Sequence, residues 1–137
     1  MKAFLDTSVL VAAFATRGLC ADVLRTVLAE HELLQSSTLL DELTRTLTEK
    51  IRVPDATVRE IVTFLRATAS STESAEPVPV KVRDPDDAVI LGEALSMGAD
   101  VLVSGDKDLL DAAPVPGIRV LTPRQFWDLV RKGGGGR

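Results

Sequence analysis

Short apolar runs that alternate with helical periodicities constrain this chain more than any other feature. Residues 2–5 read as a buried strand ending at Asp6. Residues 31–35, 101–103 and 118–121 repeat the pattern, and 80–82 form a shorter extended piece. Short runs with apolar centres suit strands covered on both faces. Between them, apolar residues recur at helical spacing. Val9, Leu10 and Val11 follow a cap at Thr7 or Ser8, and Leu19, Val23, Leu24, Val27 and Leu28 follow the break at Gly18. Leu39, Leu40, Leu43 and Leu47 stripe a helix over 39–50, capped by Ser37 or Thr38. Pro54 and Asp55 open another helix, with Val58, Ile61, Val62 and Leu65 inward. Asp84-Pro85 places a cap before proline at the first helical position, and Gly98 stops that helix. Thr122 to Gln125 is a capping box for a last helix carrying Phe126 and Trp127. Strand–helix alternation of this kind predicts an α/β domain with a mostly parallel sheet.

The length of 137 residues fits one domain, placed over 1–131, with a flexible Gly-rich tail over 132–137. Aromatic residues are 4% of a chain that is 45% apolar, so the core is aliphatic. Residues 70–79, rich in Ser, Glu and Pro, read as a surface loop. Cys20 is the sole cysteine, which excludes an internal disulfide and fits a reducing, cytoplasmic setting. Asp6 interrupts the apolar N-terminal stretch and argues against a secretory signal. No stretch approaches the roughly 20 apolar residues of a membrane span. The net charge of −4 disfavours a generic nucleic-acid coat but is compatible with clustered acids that bind cations.

The acids are the chemistry-bearing residues. Asp6 and Asp106 each end a strand, and in open α/β sheets ligands gather at the carboxyl ends of strands. Glu42 and Asp87 lie early in helices, with Asp84 and Asp108 nearby. Carboxylates sharing a site repel one another and call for a hard cation such as Mg²⁺ or Mn²⁺. Each acid also has a plainer role open to it. Asp6 can cap a helix, Glu42 can pair with Arg45, Asp87 can complement a helix dipole, and Asp106 can be a turn residue. His31 is the only histidine, so a Ser–His–acid set is excluded. Arg45, Lys50, Arg52, Arg59 and Arg66 form either a basic ridge for RNA or an ordinary solvated face.

Several of these segments together resemble a known family. Residues 4–11, Phe-Leu-Asp-Thr-Ser-Val-Leu-Val, resemble the opening motif of PIN domains. Residues 37–47 with Glu42, 83–91 with Asp87, 102–110 with Asp106, and 121–126 are similar to the later motifs, in the same order. The similarity is strongest to the branch described as toxin components of toxin–antitoxin systems, relatives of the VapC toxins. It implies a three-layer α/β/α sandwich around a mostly parallel sheet of about five strands, and Mg²⁺- or Mn²⁺-dependent cleavage of RNA. It implies Asp6, Glu42, Asp87 and Asp106 as the catalytic acids, with Asp6, Asp87, Asp106 and Asp108 as metal ligands. Ser104 stands where many relatives have Thr and would orient an acid or a water, while Ser8 stands where many have Asn. Asp84 would support the site, and helix phase with Ala88 favours Asp87 over Asp84 and Asp86 as ligand. A homodimer and an antitoxin protein that blocks the acidic groove are also implied, and no membrane association.

Three function classes follow. The first is a hydrolytic endoribonuclease. The second is a PIN-fold RNA- or protein-binding module with little catalysis, suggested by the net acidity. The third is a phosphotransfer domain, which fits poorly: Ser8 stands where an Asp-x-Asp phosphatase needs an acid, and a receiver domain would show an acidic pair.

Overall fold

A computed structural model describes residues 1–69, 71–73, 76–112 and 115–135, of which 71–73 and 133–135 are described as backbone only. The strands are β1 (Lys2–Leu5), β2 (Glu32–Ser36), β3 (Ser71–Glu73), β4 (Val101–Val103) and β5 (Arg119–Leu121). All pair in parallel, in the order β3-β2-β1-β4-β5. The helices are α1 (Thr7–Ala15), α2 (Leu19–Glu30), α3 (Ser37–Arg45), α4 (Asp55–Thr68), α5 (Pro85–Ser96), α6 (Lys107–Leu110) and α7 (Pro123–Gly135). The chain moves from β1 outward to β3, then returns across β1 to β4 and β5. Right-handed crossovers therefore place α1–α4 on one face of the sheet and α5 and α6 on the other. Helix α7 packs back on α2. The three-layer α/β/α sandwich is the architecture expected from the sequence.

The core is aliphatic, as the composition requires. Leu5, Leu10, Leu33, Leu39, Leu40, Leu43, Leu47, Leu65, Leu91 and Leu102 are fully buried, and Phe4 and Phe126 are the large aromatic members. Trp127 packs against this core at its edge, with the Arg131 guanidinium over its ring. Among the described residues, no single helix is long and apolar enough to cross a membrane.

Four local expectations are corrected. The cap of α1 is Asp6, whose carboxylate accepts from the Thr7 amide, rather than Thr7 or Ser8. The cap of α3 is Ser36, one residue earlier than expected, because the last side chain of β2 reaches the Leu39 amide. The helix expected over 39–50 becomes a π-helical turn at Thr46–Lys50, closed by Arg52 at φ 61°. The extra residue accommodated by that turn lets the Val53 amide reach the Leu47 carbonyl at 2.8 Å. Finally, the third strand is β3, inside the expected loop, while 80–82 join no ladder. Strand β3 sits at the sheet edge, where a single neighbouring strand relaxes the demand for an apolar sequence. Residues 70, 74 and 75 of that loop lie outside the described residues, as do 136 and 137 of the tail.

Helix α5 carries a close backbone approach. The Val78 amide donates to the Gly92 carbonyl at 3.0 Å, and a Cβ on Gly92 would stand 2.3 Å from the Val78 carbonyl oxygen. A backbone atom cannot rotate away as a flexible side chain can. Gly92→Ala is expected to destabilise the protein by about 1–3 kcal/mol, read as a lower urea midpoint with an unchanged m-value.

Candidate active site

The strand order reverses direction between β1 and β4, and a crevice opens there at the carboxyl ends of the strands. Asp6 follows β1 directly, and its amide extends the ladder by donating to the Val103 carbonyl at 2.9 Å. Ser104 follows β4, and its amide donates to the Leu121 carbonyl at 2.9 Å. Two chain segments far apart in sequence thus deliver their acids to one point.

Asp6 is buried and held from both sides. Its Oδ1 accepts from the Thr7 amide at 2.8 Å and its Oδ2 from the Ser104 hydroxyl at 2.7 Å. The Ser104 oxygen in turn accepts from the Asp106 amide at 2.9 Å, so one hydroxyl ties Asp6 to the Asp106 turn. Asp106 caps α6 by accepting from the Asp108 amide at 2.8 Å, and the Gly105 amide donates to the Ser8 hydroxyl at 3.4 Å. Burial pushes the Asp6 carboxyl above its ordinary pKa; the bonds from Ser104 and Thr7 oppose this, and the charges of Glu42 and Asp106 add to it.

The other acids arrive on helices. Asp84 caps α5, and its Oδ1 accepts from the Asp86 amide at 2.8 Å. Asp87 lies in the first turn of α5. Carboxylate oxygens of Asp84, Asp87 and Asp108 all lie within 4.8 Å of one another. The Asp87 Oδ2 is buried with no hydrogen-bond partner, and the Asp87 pKa is raised to about 7. Burial is the first cause; the charges of Asp106, Asp84 and Asp6 follow, then a hydrogen bond with Asp106 that favours the protonated form. Glu42 projects from α3 and accepts from the Thr7 hydroxyl. That bond replaces the alternative pairing with Arg45.

A cleft of about 790 Å³ gathers these groups. Asp6, Glu42, Asp84, Asp86, Asp87 and Asp106 line it, Val11, Ala12 and Ala15 of α1 give it an apolar side, and Arg45 and Lys50 line it too. The ion pairs among the described residues, Arg25–Asp22 and Lys107–Asp111, involve no cleft acid. Among the described residues, no direct ion pair with a protein cation therefore offsets the cleft acids. A divalent cation with hard oxygen preference fits this donor set, because converging carboxylates and an orphaned buried carboxylate oxygen both gain from it.

A family model described as PIN domain matches residues 2–108. The chain belongs to the PIN domain family. The acids of the four motifs, from Asp6 through Asp108, all fall within the matched span. A chain in the crystal structure of VapBC2 from Rickettsia felis bound to a DNA fragment from their promoter superposes with a TM-score of 0.66. The alignment covers 89% of this chain and 98% of that one at 13% identity, so the likeness is one of fold. No curated protein matches the sequence.

Every acid singled out in the sequence reaches this region of the PIN domain. The carboxylate of Asp84, expected as a supporting group, lies with those of Asp87 and Asp108. Thr7 is a site residue that sequence reasoning treated only as a helix cap. Its hydroxyl holds Glu42, a contact between residues 35 apart that no local pattern reveals. Of the basic ridge, Arg45 and Lys50 line the cleft, whereas Arg52, Arg59 and Arg66 are exposed outside it.

Proposed function

We propose that this PIN domain is a divalent-metal-dependent endoribonuclease that acts as the toxin of a toxin–antitoxin pair. The observation that carries the reading is the convergence of Asp6, Asp84, Asp87, Asp106 and Asp108 at the sheet's switch point, with one buried carboxylate oxygen lacking a partner. The toxin assignment is supported by the fold shared with the VapBC2 chain and by the motif resemblance. An antitoxin protein that blocks the groove and a homodimeric state belong to the same reading.

In this reading Asp6, Asp87, Asp106 and Asp108 hold Mg²⁺ or Mn²⁺, with Asp84 joining them. The bound cation supplies charge neutralisation and Lewis acidity to an attacking water and to the phosphodiester. The residues of the chain do the rest. Ser104 donates to Asp6 and fixes the orientation of its carboxylate. Thr7 fixes Glu42 at the cleft wall, where its carboxylate can orient a water and receive its proton. Arg45 and Lys50 line the cleft and offer positive charge to the RNA backbone. Val11, Ala12 and Ala15 give one wall of the cleft an apolar surface.

The test is cleavage of a fluorescent RNA by the purified protein with Mn²⁺, with Mg²⁺ and with EDTA. Cutting with either metal and none in EDTA supports the reading. RNA bound but uncut under all three conditions supports the binding module instead. A second expectation concerns the basic residues. Arg45→Ala and Lys50→Ala should each raise KM for RNA by roughly 3- to 10-fold with kcat nearly unchanged. Each should also lower the slope of log affinity against log salt by about 1, as loss of one phosphate contact does.

A further inference from the structure

Glu93 is the buried ionisable side chain that the proposed chemistry does not use. It is 3% exposed, on α5, and belongs to neither ion pair among the described residues. Its Oε1 accepts from the Ser36 hydroxyl at 2.7 Å and its Oε2 from the Thr38 hydroxyl at 2.8 Å. Ser36 is the cap of α3 and accepts from the Leu39 amide at 3.1 Å. One carboxylate thus grips the start of α3 at two points, and the donors lie 57 and 55 residues away in sequence. Burying a carboxylate without a cation is costly, and an apolar residue of similar size packs at lower cost. A carboxylate at this position therefore calls for a role besides stability.

The placement supplies one. Helix α5 carries Asp87 and is capped by Asp84, and α3 carries Glu42. Asp87 stands six residues before Glu93, and Glu42 stands six residues after Ser36. At 1.5 Å per residue, each acid is about 9 Å from the pin along its own helix. A tilt of about 10° at the pin moves an acid at that radius by roughly 1.5 Å, and a displacement of about 1 Å at a reacting centre costs on the order of 10²-fold in rate.

We propose that Glu93 is a positioning residue, a two-point clamp between α5 and the N-terminus of α3 that sets the separation of Glu42 from Asp84 and Asp87 across the cleft. The clamp rests on the nuclease reading of that cleft. It acts through Ser36 and Thr38 and touches neither metal nor substrate. A single acceptor would permit α3 to swing about one bond; two acceptors on a planar carboxylate remove that freedom.

The experiment compares Glu93→Ala, Glu93→Gln and Thr38→Val with wild type, each assayed well below its own Tm. Val27→Ala, a cavity in α2 away from the cleft, serves as the control for lost stability. Glu93→Ala is expected to lower kcat by 10- to 100-fold, leave KM for RNA unchanged, and raise the Mn²⁺ concentration for half-maximal rate. Thr38→Val, which removes one of the two bonds, should fall between it and wild type. Glu93→Gln, which keeps the volume and one acceptor oxygen, should recover part of the loss. Val27→Ala should lower Tm without moving kcat or the Mn²⁺ requirement. If the Glu93 and Thr38 variants lower Tm but keep wild-type kcat and Mn²⁺ dependence, the clamp is structural only and the proposal is overturned while the nuclease reading stands. If Glu93→Ala does not fold, the same comparison is made on Thr38→Val and Glu93→Gln. If wild type cuts no RNA with either metal, the nuclease reading fails and takes the clamp's catalytic role with it.

Discussion

An Asp6→Asn protein is expected to lose about 10³-fold or more in metal-dependent RNA cleavage while keeping its fold. Asn has the shape of Asp, so its carbonyl oxygen can still accept from the Thr7 amide, and the rotatable Ser104 hydroxyl can accept from the new amide. What disappears is a charge at the point where β1 and β4 deliver their acids. Charge stabilisation by a cation at such a site is worth several kcal/mol in the transition state, and about 1.4 kcal/mol is tenfold in rate. The metal-free variant should be at least as stable as wild type. Burial and the charges of Glu42 and Asp106 all disfavour the ionised carboxylate of Asp6. The check is a single-turnover cleavage assay with Mn²⁺ beside a melt in EDTA. Cleavage by the variant at a wild-type rate, with contaminating nuclease excluded, would remove Asp6 from the chemistry.

Asp87→Asn should separate stability from metal binding more sharply. In the folded protein the Asp87 pKa is raised to about 7 from an ordinary value of 3.8. Between those values the folded chain holds a proton that the unfolded chain releases. Stability therefore falls as pH rises from about 4 to 7, and the loss is complete above the folded value. With solvent screening allowed for at a partly buried site, the effect is about 1 kcal/mol, or roughly 3 °C in Tm. In EDTA, wild type should melt lower at pH 8 than at pH 5, and Asp87→Asn should flatten that dependence. Addition of Mn²⁺ should raise the wild-type Tm more at pH 8 than at pH 5, since the metal takes the deprotonated site. The variant should bind Mn²⁺ at least tenfold more weakly. Identical melting of wild type and variant in EDTA at both pH values would mean that Asp87 is not held in a charge-averse site.

The two variants test different halves of the candidate site. Asp6 is held by hydrogen bonds and anchored in the sheet, whereas Asp87 is crowded by like charges and has one oxygen without a partner. Crowding of the second kind marks a candidate functional group.

How much of this was legible beforehand depends on the range of the interactions involved. The runs 3–5 and 101–103 are apolar on both faces and stand out, and an acid shortly after each, Asp6 and Asp106, marks the carboxyl edge. The start of α5 is written in two adjacent residues, Asp84 and Pro85, and the start of α7 in Thr122 and Gln125, which exchange hydrogen bonds at 2.9 and 3.0 Å. Signals confined to one helical turn survive without knowledge of the fold. Strand β3 left no such signal, because an edge position relaxes the demand for apolar residues on both faces. The π turn after Arg45 was equally silent, since its Leu47 continues the apolar stripe whichever helical form the backbone takes.

By itself, then, the sequence determined the alternation of strands and helices, the aliphatic core, the capped helix starts and the two strand-ending acids. Those properties follow from periodicity, volume and hydrogen bonds within a few residues. The tertiary structure alone decided that β1 lies between β2 and β4. From that order came the crevice, the meeting of Ser104 with Asp6 across 98 residues, the grouping of Asp84 with Asp87 and Asp108, and the grip of Glu93 on Ser36 and Thr38. Such contacts depend on which strands become neighbours, and that choice is made by the packing of whole layers rather than by any short segment of the chain.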